Sequence, residues 1–262
     1  MKSRFLLGAC WFGLLAFVIA RTALAQMPVC YWASDPVGPG EAALLYGEDF
    51  DGVTAIKFWR VEDKDFGKSE ATRTVEQPPV VPENAVSVEH QQKSRNSLKF
   101  IIPKEVAPGV FGVQLMAGDK ATQPILLNRA DVWWLQGDSG TNASPGGWIR
   151  AFGKCLRVGA GRPRITLESQ RKGLFGPERF LLDADGDGFA LRAELPRNMP
   201  EGDYRAYVFT GAGGPIGRSR PQAIRILKPE QWNVFAPTAG AAWPALRPAV
   251  PAVPWGKNTG SA

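Results

Sequence analysis

The chain has 262 residues, with 22 Pro, 29 Gly and a formal net charge of +6 at pH 7. A single histidine rules out a histidine-rich zinc centre and leaves His90 as the one candidate for any His-dependent nucleophilic site. The modest charge forms no dense Lys/Arg patch, which argues against a nucleic-acid partner.

Residues 1–25 read as a cleaved signal peptide. Lys2 and Arg4 give a positive start, Phe5 to Ala20 is apolar, and Ala23-Leu24-Ala25 is a small-x-small cleavage site, so the mature chain is expected to begin at Gln26. The alternative is an uncleaved anchor, with an apolar run near the lower limit for a span. Loss of Lys2, Arg4 and Arg21 lowers the net charge from +6 to +3. No later segment is apolar enough and long enough to cross a bilayer, so the mature chain is expected to be exported, to the periplasm, cell surface or medium. Cys30 and Cys155 remain after cleavage, which allows one disulfide in an oxidising compartment. The alternative is two separate buried thiols.

From Gln26 onward, short runs of Val, Ile, Leu, Phe and Tyr alternate with Gly- and Pro-rich turns, the pattern of an all-β protein. In chain order, Pro39-Gly40-EAALLY-Gly47 is a turn feeding a strand that ends at a Gly bend. Leu98–Ile102 is a core strand, Pro103-KEVAP-Gly109-Val110-Phe111 is a turn, and Gly112–Met116 is the strand after it. The series then recurs as Pro145-Gly146-GWIRAF-Gly153, the strand Leu191–Leu195, Pro196-RNMPE-Gly202-Asp203-Tyr204 and the strand Arg205–Phe209. Repetition at roughly one hundred residues predicts two tandem β-sandwich modules, at 26–130 and 131–228. Residues 229–262 hold six Pro and eight Ala and read as a Pro/Ala-rich tail without strand pattern.

The segment from Asp183 to Glu194, DADGDGFALRAE, matches the D-x-D-x-D-G-x5-E calcium-loop pattern. Its place in the repeat makes it a hairpin tip, because the matching Gln92–Asn96 contains no acid. With Asp187-Gly188 as a two-residue turn, Phe180, Leu182 and Ala184 face Leu195, Ala193 and Leu191, and Asp183 faces Arg192 in a cross-strand ion pair. The matching loop in the first module is expected to differ in length by one residue. Glu194 then lies far from the tip, and Pro196 and Pro200 oppose an exit helix. What remains is an acidic turn or a weak calcium site made by Asp183, Asp185 and Asp187 alone. No cofactor is otherwise expected.

Eight Trp follow the leader: Trp32, Trp59, Trp133, Trp134, Trp148, Trp232, Trp243 and Trp255. Trp133 and Trp134 are adjacent on a predicted strand and are expected to point to opposite faces, one into the core. The other either seals the junction between modules, the favoured reading, or offers a platform for a sugar ring. Trp134 and Trp148 are the candidate ligand-binding residues. His90 is expected at a solvent-facing strand position.

Pro36-Val37-Gly38-Pro39-Gly40-Glu41 through Tyr46-Gly47-Glu48-Asp49-Phe50 resembles the opening of an IPT/TIG-type immunoglobulin-like module. Val132-Trp133-Trp134-Leu135 with Pro145-Gly146-Gly147-Trp148 through Cys155-Leu156, and Leu195-Pro196 through Tyr204, resembles a second. Together, over residues 28–228, they are similar to the N-terminal region of secreted bacterial proteins of the pectate-lyase superfamily. In that family a catalytic right-handed β-helix follows; here Lys228-Pro229-Glu230-Gln231-Trp232 leads into the Pro/Ala tail, so no catalytic residue is carried over. The resemblance implies an exported, non-catalytic accessory or carbohydrate-binding protein whose partner is a polysaccharide. The alternatives are a structural or protein-interaction module partnered by an envelope protein, and the orphaned front end of a polysaccharide lyase.

Overall fold

The structure, a computed structural model, describes residues 26–67, 71, 80–174 and 176–228. The leader and the Pro/Ala tail, with Trp232, Trp243 and Trp255, lie outside the described residues. The regular structure of the described chain is almost entirely strand, joined by turns and loops, and none of its helices is long and apolar enough to cross a membrane.

The first sandwich contains β1 (Val29–Ala33), β2 (Ala42–Glu48), β3 (Ala55–Arg60), β4 (Val86–Val88), β5 (His90–Lys93), β6 (Ser97–Ile101), β7 (Phe111–Ala117), β8 (Lys120–Ala121) and β9 (Ile125–Leu127). The second contains β10 (Asp131–Gly137), β11 (Asn142–Ala143), β12 (Trp148–Lys154), β13 (Arg164–Gly173), β14 (Gly176–Asp183), β15 (Asp185–Gly186), β16 (Ala190–Glu194), β17 (Gly202–Phe209) and β18 (Gln222–Ile226). One sheet of the first has the order β1-β2-β6-β5, and one sheet of the second has the matching order β10-β12-β16-β15. The other sheets run β4-β3-β7-β8, with β9 also on β7, and β11-β18-β17-β13-β14. All pairings are antiparallel except β11 with β18.

Strict alternation builds each core. In β2 every second residue, Ala43, Leu45 and Gly47, is buried, and β12 buries Ile149, Ala151 and Gly153 in the same way. One core joins Leu45, Phe50, Phe58, Leu98, Phe100 and Leu115; the other joins Ile149, Leu156, Ile165, Leu167, Leu191 and Tyr204. The Tyr204 hydroxyl donates to the carbonyl of Pro200 at 2.8 Å, the tyrosine-corner contact of immunoglobulin-like sandwiches.

The repeat extends to backbone detail. Gly47 and Gly153 each lie opposite a β-bulge, between Cys30 and Trp32 in β1 and between Val132 and Trp134 in β10. A Cβ at Gly47 would sit 1.8 Å from the Val29 carbonyl oxygen, and one at Gly153 would sit 2.0 Å from that of Asp131. Only glycine permits that approach. Two residues further on, Asp49 and Cys155 both take left-handed backbone, with φ of 58° and 54°.

The hairpin near Asp187 differs from the expected register. Asp185 pairs with Arg192 and Gly186 with Leu191, so the tip is four residues, closed by Asp187 N–H to the Ala190 carbonyl at 2.9 Å. The Asp187 carboxylate accepts the N–H groups of Phe189 and Ala190 at 2.7 and 2.9 Å, a capping arrangement that a two-residue turn could not offer. The tip at Ser94–Ser97 has the same length, with Ser94 Oγ accepting from Ser97 N–H at 3.0 Å. Strand β14 leaves this hairpin and pairs with β13, Leu182 opposite Ile165, which carries its apolar residues to the other sheet. The Asp183–Arg192 pair therefore does not form.

The two sandwiches meet over an apolar seam. Trp59, Val61 and Val110 pack against Ala212, and Phe66 stacks on Phe209 with ring centroids 4.3 Å apart. Asp63 accepts the Gly213 N–H at 2.8 Å, and Arg129 Nε donates to the Arg218 carbonyl at 2.7 Å. Lys154 closes another edge by an ion pair with Asp35.

Candidate functional site

The outer face of the sheet β10-β12-β16 carries the largest set of sequence-predicted residues. In β12, Trp148, Arg150 and Phe152 alternate outward from the buried Ile149 and Ala151. In β16 the outward residues are Arg192 and Glu194. The registers set Trp134 opposite Phe152, Gln136 opposite Arg150, and Arg150 opposite Arg192.

Trp133 and Trp134 do not point to opposite faces. They are 56% and 52% exposed, and neither enters the core or the seam. The bulge inserts one extra residue opposite Gly153, which interrupts the alternation that an unbroken strand would impose. Val132 fills the core position instead. Trp59, together with Phe66, takes the seam role expected of the Trp133–Trp134 pair.

Trp134 stacks on Phe152, centroids 4.8 Å apart at 21°, and Trp133 lies 6.4 Å from Trp134. Further along β12, the Trp148 ring lies beneath two guanidinium groups, Arg192 at 5.0 Å and Arg150 at 5.6 Å, and Arg150 is 5.9 Å from Phe152. Such cation–π contacts hold the rings flat at about 0.5–1 kcal/mol each at exposed sites. From Phe152 to Trp148 the strand advances roughly 13 Å. The face thus offers two aromatic platforms on one strand, with hydrogen-bond donors between them. Arg192 is held by Glu194 at 2.8 Å, whereas Arg150 makes no ion pair among the described residues.

The three acidic residues of the calcium pattern are not brought together. Asp183 faces Arg164 at 3.7 Å, Asp185 faces Arg157 at 3.7 Å, and Asp187 caps the hairpin tip. Among the described residues there is no cluster of three metal-ligating side chains. Backbone hydrogen bonds from Phe189 and Ala190 hold the Asp187 carboxyl below its ordinary pKa. Glu194, the twelfth position of the pattern, is committed to Arg192.

Cys30 and Cys155 are both free thiols. Cys30 packs against the first core, at the bulge position that Val132 fills in the second sandwich. Cys155 is buried at the left-handed turn after β12, and burial pushes its pKa up to about 12. His90 is exposed on β5 and makes no ion pair among the described residues.

Sequence reasoning missed Tyr31, Trp32 and Tyr46, the first sandwich's counterparts of Trp133, Trp134 and Phe152. They are 61%, 49% and 52% exposed, and Trp32 pairs with Tyr46 across the bulge as Trp134 pairs with Phe152. The signal was present, since Cys30-Tyr31-Trp32 parallels Val132-Trp133-Trp134. However, the stretch from Trp32 to Pro39 is four residues shorter than that from Trp134 to Pro145, where β11 is inserted.

No family model matches the chain, and no curated protein matches it. Among solved structures, it is similar to SGBP-B of the Bacteroides ovatus mixed-linkage glucan utilization locus in complex with a mixed-linkage heptasaccharide. That match has 16% identity and a TM-score of 0.27, and covers 75% of this chain and 45% of that one. A second structure, with a xylogluco-oligosaccharide, matches at 12% identity and a TM-score of 0.28, over 78% of this chain and 41% of that one. The chain spans less than half the length of either structure.

Proposed function

We propose that this chain is an exported, non-catalytic glycan-binding protein that holds a polysaccharide on the outer face of β10-β12-β16. The observation that carries the proposal is the bulge in β10, which leaves Trp133 and Trp134 half exposed to solvent and stacks Trp134 on Phe152. A flat aromatic surface flanked by guanidinium groups suits the apolar face and the hydroxyls of a pyranose ring. Catalytic chemistry has little to draw on here. Two carboxylates lie on this face and neither sits between the aromatic platforms unpaired: Glu194 is paired with Arg192, and Asp131 stands at the start of β10 opposite Lys154. The apolar leader and the resemblance of residues 28–228 to the front region of secreted pectate-lyase-superfamily proteins support an extracellular polysaccharide setting, with tandem modules at 26–130 and 131–228.

Trp134 is 52% exposed. Half of a roughly 200 Å² aromatic side chain leaves about 100 Å² for a sugar to cover, worth about 2.5 kcal/mol at most. Trp134→Ala should therefore weaken glycan binding by up to roughly sixtyfold, and Trp148→Ala by a smaller factor, in calorimetric titration. Unchanged affinity in both variants would remove this face from the proposal.

The same exposed aromatic area also fits a protein-interaction surface of the cell envelope. That reading predicts capture of one envelope protein through Trp133 and Trp134 and no polysaccharide affinity.

A further inference from the structure

On one side the seam between the sandwiches opens into a cleft of about 450 Å³. Its first wall is β1, with Tyr31 and Trp32; its other lining includes Arg129, Asp131, Lys154 and Arg220. Clefts at such junctions, with an aromatic wall and a few converging polar groups, are the usual form of a ligand site. Tyr31 and Trp32 hold the positions of Trp133 and Trp134 in the repeat, turned outward by the equivalent bulge.

The charges in this cleft are unequally committed. Lys154 and Asp35 neutralise each other. Arg129 donates Nε to the Arg218 carbonyl, which fixes its guanidinium and leaves its other N–H groups available. Arg220 is exposed, and neither Arg129 nor Arg220 makes an ion pair among the described residues. Burial disfavours the Arg129 cation, the Arg220 charge disfavours it further, and Asp131 offsets this only in part. Two like charges held close together, one partly desolvated, are relieved by an anion that both can bind.

We propose that this cleft is a second carbohydrate site, selective for a uronate: Trp32 stacks on the sugar ring while Arg129 and Arg220 bind its carboxylate. The inference rests on the glycan-binding reading above and narrows it to acidic polysaccharides. An aromatic wall beside the guanidinium pair favours a charged sugar over a charged peptide, because it needs a flat apolar face next to the carboxylate.

The test is calorimetric titration of the chain from Gln26 to Ala262 with oligogalacturonate and oligoguluronate, each against its carboxyl-reduced form, and with oligoglutamate as a charge-only probe. The acidic sugars should bind about tenfold or more tightly than their reduced forms. Arg220→Gln, at an exposed position, should cut that ratio several-fold with an unchanged melting temperature, and Arg129→Gln with Arg220→Gln should bring it near one. Trp134→Ala should weaken acidic and reduced sugars alike and keep the ratio. Equal binding of both forms by the native chain would overturn the uronate site while leaving glycan binding intact. Binding of neither form would overturn the uronate site, and the glycan-binding reading falls with it only where no polysaccharide of a broad neutral and acidic panel binds either. A ratio that survives Arg220→Gln, or oligoglutamate binding as tightly as the uronates, would overturn the assignment to this cleft.

Discussion

If the bulge opposite Gly153 is what turns Trp133 and Trp134 outward, replacing that glycine should damage the platform without touching either tryptophan. A Cβ at Gly153 meets the Asp131 carbonyl oxygen at 2.0 Å and the Val132 Cα at 3.0 Å. Both are backbone atoms, so no side chain can swing away and β10 itself must move. Forcing a methyl group into such a site costs roughly 1–3 kcal/mol. For a chain of this size that lowers the melting temperature by roughly 2–10 °C. Gly153→Ala should show this loss by calorimetry, and acrylamide quenching of tryptophan fluorescence should change as β10 shifts. Gly188→Ala is the control: its Cβ would meet only the Arg157 carbonyl oxygen, at an ordinary 3.7 Å, and it should be close to neutral. A Gly153→Ala variant as stable as the Gly188→Ala control, with unchanged quenching and glycan affinity, would refute the bulge as the positioning element.

Other outcomes follow from the same contacts. Trp59→Ala, at the seam, should cost about 3–5 kcal/mol and separate the melting of the two sandwiches into two steps. The Cys155 thiol, its folded pKa pushed by burial up to about 12 from an ordinary 9.0, stays protonated while the unfolded chain ionises. Its contribution to stability is therefore full below pH 9 and lost as pH rises toward 12, and Cys155→Ala should flatten that part of the pH–stability curve. Asp187 has the opposite sign: its depressed pKa contributes stability above pH 3.8 that is lost as pH falls lower, so Asp187→Asn should reduce acid sensitivity in a pH-dependent melt. Calcium should leave the melting temperature unchanged, because Asp183, Asp185 and Asp187 serve separate contacts; a calcium-dependent rise abolished in Asp185→Asn/Asp187→Asn would contradict that placement.

The all-β class was legible because the turn chemistry is local. Gly47 and Gly153 mark bends whose close backbone approach excludes every other residue, so the repeat survives in the letters themselves. The outward alternation of Trp148 was legible in the same way. The bulge was not, because it depends on which residue of a partner strand lies opposite, and Val132-Trp133-Trp134 reads as plain alternation without that partner. The hairpin misled for a similar reason: Asp187-Gly188 is a strong two-residue turn signal, but the Asp187 carboxylate stabilises a longer tip. In Ala55–Arg60 the outward position of Trp59, beside the inward Phe58, was the available sign of a buried seam. The cleft at Arg129 and Arg220 joins residues about ninety positions apart and exists only once the sandwiches dock.

The central claim is that the half-exposed aromatic face of β10-β12-β16 binds glycan. The most direct test is titration of a broad panel of neutral and acidic polysaccharides into the chain from Gln26 to Ala262, in parallel with Trp134→Ala, following tryptophan fluorescence. Specific binding to at least one polysaccharide is expected, weakened by up to roughly sixtyfold in the variant at nearly unchanged melting temperature. Binding to none of the panel, or equal affinity in the native chain and the variant, would contradict it.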